Sequence, residues 1–336
     1  MLTQPRITPL HLVGRFNNPH TGAERELLDL ANMVRPTRPV FLWSDGPVHP
    51  VHARNGVQPL SLFSRAYPRG GTLVVGGVHV DLGSWLAYAN PLRVVLKYNL
   101  PDHARLFLAI EKILAATGCE PELRFASKSL QASVGLKGEV EHSLMAIDRY
   151  LALPRPRLAA GAFTVGRMSR DVAEKHHPQD IAIYRHLAAR GHKVRLMGAT
   201  CLADQLKDIS GIELLPAGAM DAADFLRDLD CFFYRTGLAS GGKGEFLYEA
   251  YGRVVFEAMA SGLPVVAGAS AGYADFLTTG QDCFLVHNQE QAIDRLTELA
   301  TNQQLASGLG VRARVTAERL HGPSNVSIHK AYYTSS

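Results

Sequence analysis

Between Glu249 and Val266 the chain reads EAYGRVVFEAMASGLPVV. This pattern puts Glu249 in a loop, Gly252 at the mouth of a helix, and Glu257 about one turn inside it. The first N–H groups of a helix lack intrahelical partners and carry the positive end of its dipole. Gly252, Arg253 and Val254 therefore form a prepared site for a diphosphate. A carboxylate on each side of that mouth could grip hydroxyl groups flanking the phosphates. Gly262-Leu263-Pro264 ends the helix and turns the chain into a strand. The plainer account is an ion pair between Arg253 and Glu257, four residues apart, worth roughly 0.3 kcal/mol.

Other chemistry-bearing groups point less far. His176-His177 could suggest a metal ligand pair, but adjacent imidazoles on a loop do not converge on one ion, so no metal is expected. Residues 237–244 fit the first seven positions of a phosphate-binding loop. They fail at the eighth, where Gly244 stands in place of the Ser or Thr that holds magnesium, leaving Lys243 as a loop cation. Residues 10–24 lack the G-x-G-x-x-G fingerprint of a dinucleotide site. Asn325-Val326-Ser327 is formally a glycosylation acceptor, irrelevant in a cytoplasmic protein.

The elements that must position these groups follow from the apolar pattern. Short runs rich in Val, Leu and Phe at residues 10–13, 40–43, 72–75 and 93–97 predict strands, with helices at 24–34 and at 106–117, the latter closed by Gly118. In the second half, strands are predicted at 163–165, 194–197, 212–214, 231–234, 265–267 and 284–286. Helices are predicted at 181–190, 222–228, 253–261 and 291–302. Doubly buried strands alternating with helices mean parallel sheets. The Pro154-Arg155-Pro156-Arg157 stretch within 151–160 reads as a stiff linker. The expected plan is a first domain over 1–153, a second over 154–318, and a segment 319–336 after them.

The chain has 336 residues, 46% hydrophobic and 20% charged, enough to bury two cores; disordered, collagen-like and coiled-coil classes are excluded. No run reaches the roughly 18–20 apolar residues of a membrane span. Cys119, Cys201, Cys231 and Cys283 have no metal-knuckle or redox spacing, which suggests a reducing compartment. Up to Leu158 there are 18 Lys+Arg against 12 Asp+Glu; beyond it there are 17 against 19, so the halves carry +6 and −2. A basic first half suits an anionic partner: phosphate, a lipid-linked acceptor or a membrane surface. The basic residues are dispersed and accompany no recognition motif, so nucleic acid is not expected.

The segment 249–266 resembles the signature of retaining glycosyltransferases of family 4, two glutamates with seven residues between, the first followed by a small residue, an aromatic and a glycine. Here those are Ala250, Tyr251 and Gly252. Val165-Gly166-Arg167-Met168-Ser169-Arg170 with Lys175 resembles that family's diphosphate segment. Ala271-Gly272-Tyr273-Ala274-Asp275 with Gly280 resembles its closing pattern. In the first half, Thr21-Gly22-Ala23-Glu24-Arg25 is similar to its glycine loop, though with one glycine. Val74–His79 and Val94–Asn99 are similar to strand ends facing the cleft.

The resemblance implies a GT-B fold: α/β, with two Rossmann-like parallel-sheet domains facing across a cleft, 1–153 on the acceptor side, 154–318 binding the nucleotide sugar, and 319–336 crossing back to the first domain. It implies that Glu257 holds the nucleotide ribose, that Glu249 holds the donor sugar and organises the reacting centre, and that Arg167 and Lys175 stabilise the departing diphosphate. It places Gly22 and His79 on the acceptor side. Asn99 stands where many relatives have a functional histidine, and an amide cannot take a proton. The implied activity is sugar transfer, with retention, from a UDP- or GDP-sugar co-substrate to a glycan, lipid-linked or small-molecule acceptor. No bound cofactor or metal is implied. Alternatives are a weakly active sugar-nucleotide-binding partner subunit and a GT-B sugar-nucleotide epimerase. The expected location is the cytoplasm, with peripheral contact at the inner face of the membrane through the basic half.

Overall fold

The computed structural model describes residues 8–150, 163–238 and 247–335. The predicted join at 151–160 and the loop cation Lys243 lie outside them. The chain divides into two compact units, Met1–Met145 with Pro323–Ser336, and Ala146–Gly322.

The first unit is built on seven parallel strands: β1 (Leu10–Gly14), β2 (Val40–Ser44), β3 (Val57–Pro59), β4 (Thr72–Val75), β5 (Arg93–Tyr98), β6 (Glu122–Phe125) and β7 (Glu139–Val140). Their order is β3-β2-β1-β4-β5-β6-β7. Leu10, Leu12, Val74 and Val95 pack against Leu27, Leu30 and Val34 of the helix Gly22–Val34. Each such fully buried side chain contributes on the order of 2 kcal/mol. The helix His103–Thr117 begins where the Asp102 carboxylate accepts from the Arg105 N–H, and ends at Gly118.

The second unit carries six parallel strands: β8 (Thr164–Met168), β9 (Lys193–Met197), β10 (Ile212–Leu215), β11 (Cys231–Tyr234), β12 (Val265–Gly268) and β13 (Phe284–Val286). Their order is β10-β9-β8-β11-β12-β13. Val165, Val194, Leu196, Phe233 and Val266 form its core with Ile183 and Leu187 of the helix Asp180–Ala189, and Leu296 and Leu299 of the helix Gln289–Thr301.

In each sheet the strand order reverses once, between β1 and β4 and between β8 and β11. Neighbouring loops leave such a switch point in opposite directions, which opens a crevice at the carboxyl edge of the strands. Both candidate site clusters lie there.

The predicted strands all form: three keep the predicted bounds, six are longer by one residue, and the one predicted at 163–165 runs from Thr164 to Met168. The edge strands β3 and β7 and the inner strand β6 lie outside the predicted set, as do the helices Gln303–His321 and Pro323–Thr334. The chain breaks between those last two at Gly322-Pro323, where Gly322 is extended and Pro323 opens the next helix without needing an N–H. The last helix packs within the first unit: Arg38 donates to the Tyr333 carbonyl at 2.9 Å, and the Tyr333 hydroxyl donates to Glu141 at 2.8 Å.

Candidate functional site

The second unit holds the denser cluster. The helix Arg253–Ala260 starts directly after Gly252, whose φ is +74°. A Cβ there would lie 2.4 Å from the Tyr273 ring, so the glycine meets both the backbone and the packing demand. Just before it, Glu249 Oε2 accepts from Lys175 Nζ at 2.6 Å and from the Tyr234 hydroxyl at 2.6 Å. Lys175 ends a short 3-10 turn after β8, and Tyr234 ends β11, so the two strands at the switch point each deliver one donor to the same oxygen. Burial alone would raise the Glu249 pKa. The Lys175 charge and the two hydrogen bonds outweigh burial and hold it below the usual carboxylate range.

Behind these groups lies a buried charge network. Arg167, within β8, donates to the carbonyls of Lys175 and Arg235 and lies 3.6 Å from Asp180. Arg235 donates to Asp180 at 2.8 Å. The Arg167 guanidinium lies 4.9 Å from the centre of the Tyr234 ring. Three cations, Arg167, Lys175 and Arg235, thus stand against two carboxylates, Asp180 and Glu249, and the excess positive charge suits an anion. Arg167 Nε and Asp180 Oδ2 are buried without hydrogen-bond partners.

The expected donor residues are brought together only in part. Arg167, Lys175, Glu249 and Gly252 belong to one cluster. Their accessibility differs: Arg167 is wholly buried, whereas Lys175 and Glu249 are 14% and 17% exposed. Two of Arg167's nitrogens are spent on main-chain carbonyls that tie the loop after β8 to the end of β11. Lys175 is spent on Glu249. Glu257 lies one turn along the helix, where Arg253 Nε donates to it at 3.0 Å and the Tyr150 hydroxyl lies against it. The ion pair given above as the plainer account is therefore formed. Val254, half-buried, sits in the first turn.

The histidine pair does not converge. His176 is buried, its Nε2 against the Gly198 carbonyl at 2.8 Å, and burial with the Arg167 charge lowers its pKa to about 3. Among the described residues no group of three or more His, Cys, Asp or Glu side chains is gathered as metal ligands. No helix there is long and apolar enough to cross a membrane.

The first unit's switch point holds a sparser cluster. Gly77, with φ of +150°, follows β4, and a Cβ there would meet both the His79 ring at 2.6 Å and Asn99 Oδ1 at 2.7 Å. His79 and Asn99 thus flank one glycine. Asn99 donates to the Gly76 carbonyl at 3.1 Å. His79 Nε2 lies 3.9 Å from Glu24, in the first turn of the helix that begins at Gly22. Burial would raise the Glu24 pKa, but His79 and the Thr21 hydroxyl outweigh it and hold Glu24 low. One Glu24 oxygen is buried without a hydrogen-bond partner.

The sequence reading missed Tyr234, Arg235, Asp180 and Glu24 as site residues. For Tyr234-Arg235 a signal existed, since polar groups end an otherwise apolar run, CFF, immediately before the loop leading to Glu249.

Two parallel α/β sheets, each with a polar cluster at its switch point, define a two-domain protein of the GT-B fold class. Comparison with known proteins agrees. Residues 161–302, under half of the chain, match the family model described as Glycosyl transferases group 1. No curated protein matches the chain. Among solved structures, HepE of Anabaena in complex with UDP-glucose is similar at 17% identity and TM-score 0.74, over 97% of this chain and 98% of that one. A glycosyltransferase from Rickettsia africae is similar at 11% identity and TM-score 0.74, over 98% of each chain. Sucrose-phosphate synthase from Thermosynechococcus elongatus is similar at 14% identity and TM-score 0.73, over 97% and 98%. At these identities the likeness is one of fold.

Proposed function

We propose that the protein is a retaining glycosyltransferase, resembling family 4, that moves a sugar from a nucleoside diphosphate to a glycan or lipid-linked hydroxyl acceptor. The observation that carries this reading is the Lys175–Glu249–Tyr234 cluster beside the glycine that opens the helix Arg253–Ala260, at the switch point of a parallel sheet. HepE binds UDP-glucose on the same fold, which favours a UDP-sugar donor.

On this reading the diphosphate lies at the helix mouth, where Gly252, Arg253 and Val254 present the positive end of the dipole. Lys175 and the buried Arg167 add charge that stabilises the leaving diphosphate as the glycosidic bond breaks. Glu249 holds sugar hydroxyls, Glu257 holds the ribose, and departure and attack take place on one face of the sugar, which gives retention. His79 and Asn99, with the loop at Gly22, take the acceptor hydroxyl. Peripheral contact with an anionic membrane through the basic half would bring a lipid-linked acceptor within reach.

The test is a thermal-shift panel of UDP, GDP, ADP and dTDP against their nucleosides, followed by UDP release from UDP-glucose with and without acceptor glycans. A diphosphate at about 100 times its Kd adds about 2.7 kcal/mol of stability, a rise of several degrees at this size. Release that depends on acceptor supports transfer, and release without acceptor favours an epimerase-like enzyme. If no diphosphate stabilises the protein, the donor-site reading falls.

A further inference from the structure

Tyr234 belongs to none of the roles given so far, yet its hydroxyl is one of only two groups that the described residues bring to Glu249 Oε2, at 2.6 Å. The other is the Lys175 ammonium, also at 2.6 Å. Two donors occupy the accepting capacity of one carboxylate oxygen. Among the described residues no hydrogen bond reaches Oε1. One oxygen of the carboxylate is therefore fixed, and among the described residues the other is left to a ligand.

The two donors differ in how firmly they are held. The lysine stem has four rotatable carbons and starts from a short turn after β8, so it supplies charge with little direction. Tyr234 ends a buried strand, and its ring is held on several sides. Phe232 stacks on it at 6.2 Å and 11°, Tyr273 meets it at 6.4 Å and 68°, and the Arg167 guanidinium lies 4.9 Å from its centre. Rotation of this ring would collide with packed neighbours, so the direction of its O–H is set by the sheet. Tyr273 also abuts Gly252, so the packing that orients Tyr234 is continuous with the start of the helix.

We infer that Tyr234 is the positioning residue for Glu249: its hydroxyl fixes the rotation of the carboxylate so that Oε1 faces the donor sugar. The inference rests on the reading that Glu249 serves the sugar. Burial and the neighbouring Glu249 charge raise the Tyr234 pKa well above its ordinary value, so the hydroxyl stays a donor at neutral pH.

Tyr234→Phe keeps the ring and removes only the hydroxyl. The expected result is UDP affinity within twofold of the parent protein, with kcat for UDP-glucose turnover lowered on the order of tenfold to a hundredfold, the size of one hydrogen bond to a charged group. The acid limb of the kcat profile should move to higher pH, because Glu249 loses a donor that stabilises its ionised form. A merely structural tyrosine would lower the melting temperature and leave kcat and its pH profile in place, and that result overturns the inference. Lys175→Met supplies a second route. If both donors act on one oxygen, the double variant should lose less than the product of the two single losses, and strict additivity counts against a shared role. Glu249→Gln separates the two levels of the argument. If it retains full turnover, the reading of Glu249 falls whatever Tyr234→Phe does. If it loses turnover while Tyr234→Phe does not, only the positioning role falls.

Discussion

Each unit buries a cluster of charge, and the two clusters are balanced differently. In the first unit Lys97 of β5 is held between Glu26 and Glu141, and Glu141 also takes the Tyr333 hydroxyl and lies 3.7 Å from Arg124 and 3.5 Å from His329. In the second unit the cluster around Arg167 sets three cations, Arg167, Lys175 and Arg235, against two carboxylates, Asp180 and Glu249. The first arrangement ties the C-terminal helix Pro323–Thr334 to the sheet through side chains that need one another. The second retains net positive charge at a switch point. An excess of one sign of charge at a switch point marks a place where an anion completes the structure.

The largest effect that sharpens this contrast is on stability. Lys97→Met leaves Glu26 and Glu141 buried without their cation, and breaking a buried pair from one side costs about 3–5 kcal/mol. The expected result is a fall in melting temperature on the order of 10 °C, with turnover per folded molecule unchanged at low temperature. Loss of turnover in fully folded Lys97→Met would show that the cluster is not purely structural. The reverse is expected of Glu249→Gln, which should cut turnover about 10²–10³-fold, roughly 3–4 kcal/mol of transition-state stabilisation, while UDP binding persists. Near-normal turnover would remove Glu249 from the reaction.

A third effect acts on both units. His11 accepts from Trp43 Nε1–H at 3.1 Å through Nδ1. Indole can only donate, so that nitrogen must carry no proton and the ring is neutral. Burial lowers its pKa to about 4, and burial with Arg167 lowers His176 to about 3. Both stay neutral in the folded state but gain a proton near pH 6.5 when unfolded. The unfolded chain therefore binds more protons between about pH 4 and 6.5, and stability must rise with pH over that window. Each contributes on the order of 3 kcal/mol over that window. His11→Gln should flatten part of the slope; an unaltered slope would show that His11 does not contribute.

What the sequence conveyed follows the same physics. Strands such as β4 and β11 are buried on both faces and so are mostly apolar, which makes them readable. The strand β3 has Val57 buried but Gln58 and Pro59 exposed, and β7 has two residues, so neither imposes a pattern. The helix Gln303–His321 buries Gly310, Ala313, Thr316 and Ala317, small residues that leave little apolar periodicity to detect. In the site, Glu249 and Gly252 are neighbours in sequence and their meaning is local. Tyr234 and Asp180 act through partners 15 and 55 residues away, Glu249 and Arg235, and only the fold brings them together.

The smallest expected effect belongs to the first unit's switch point, where Glu24 and His79 stand beside one cation, Arg15, which donates to the His79 carbonyl at 2.6 Å and lies 3.6 Å from Asp45. Glu24 is buried with one oxygen unpartnered, and its other oxygen is 3.9 Å from His79 Nε2. A carboxylate at that range lends negative charge to the side of the ring that carries Nε2. Glu24→Gln keeps the shape and removes the charge, so it should lower acceptor-dependent transfer by roughly tenfold, about 1.4 kcal/mol, and leave UDP affinity and acceptor-independent donor hydrolysis intact. An equal loss in both reactions would mean that Glu24 supports the unit as a whole. A loss confined to transfer would set the two switch points apart by the step each serves: anion and sugar in the second unit, hydroxyl acceptor in the first.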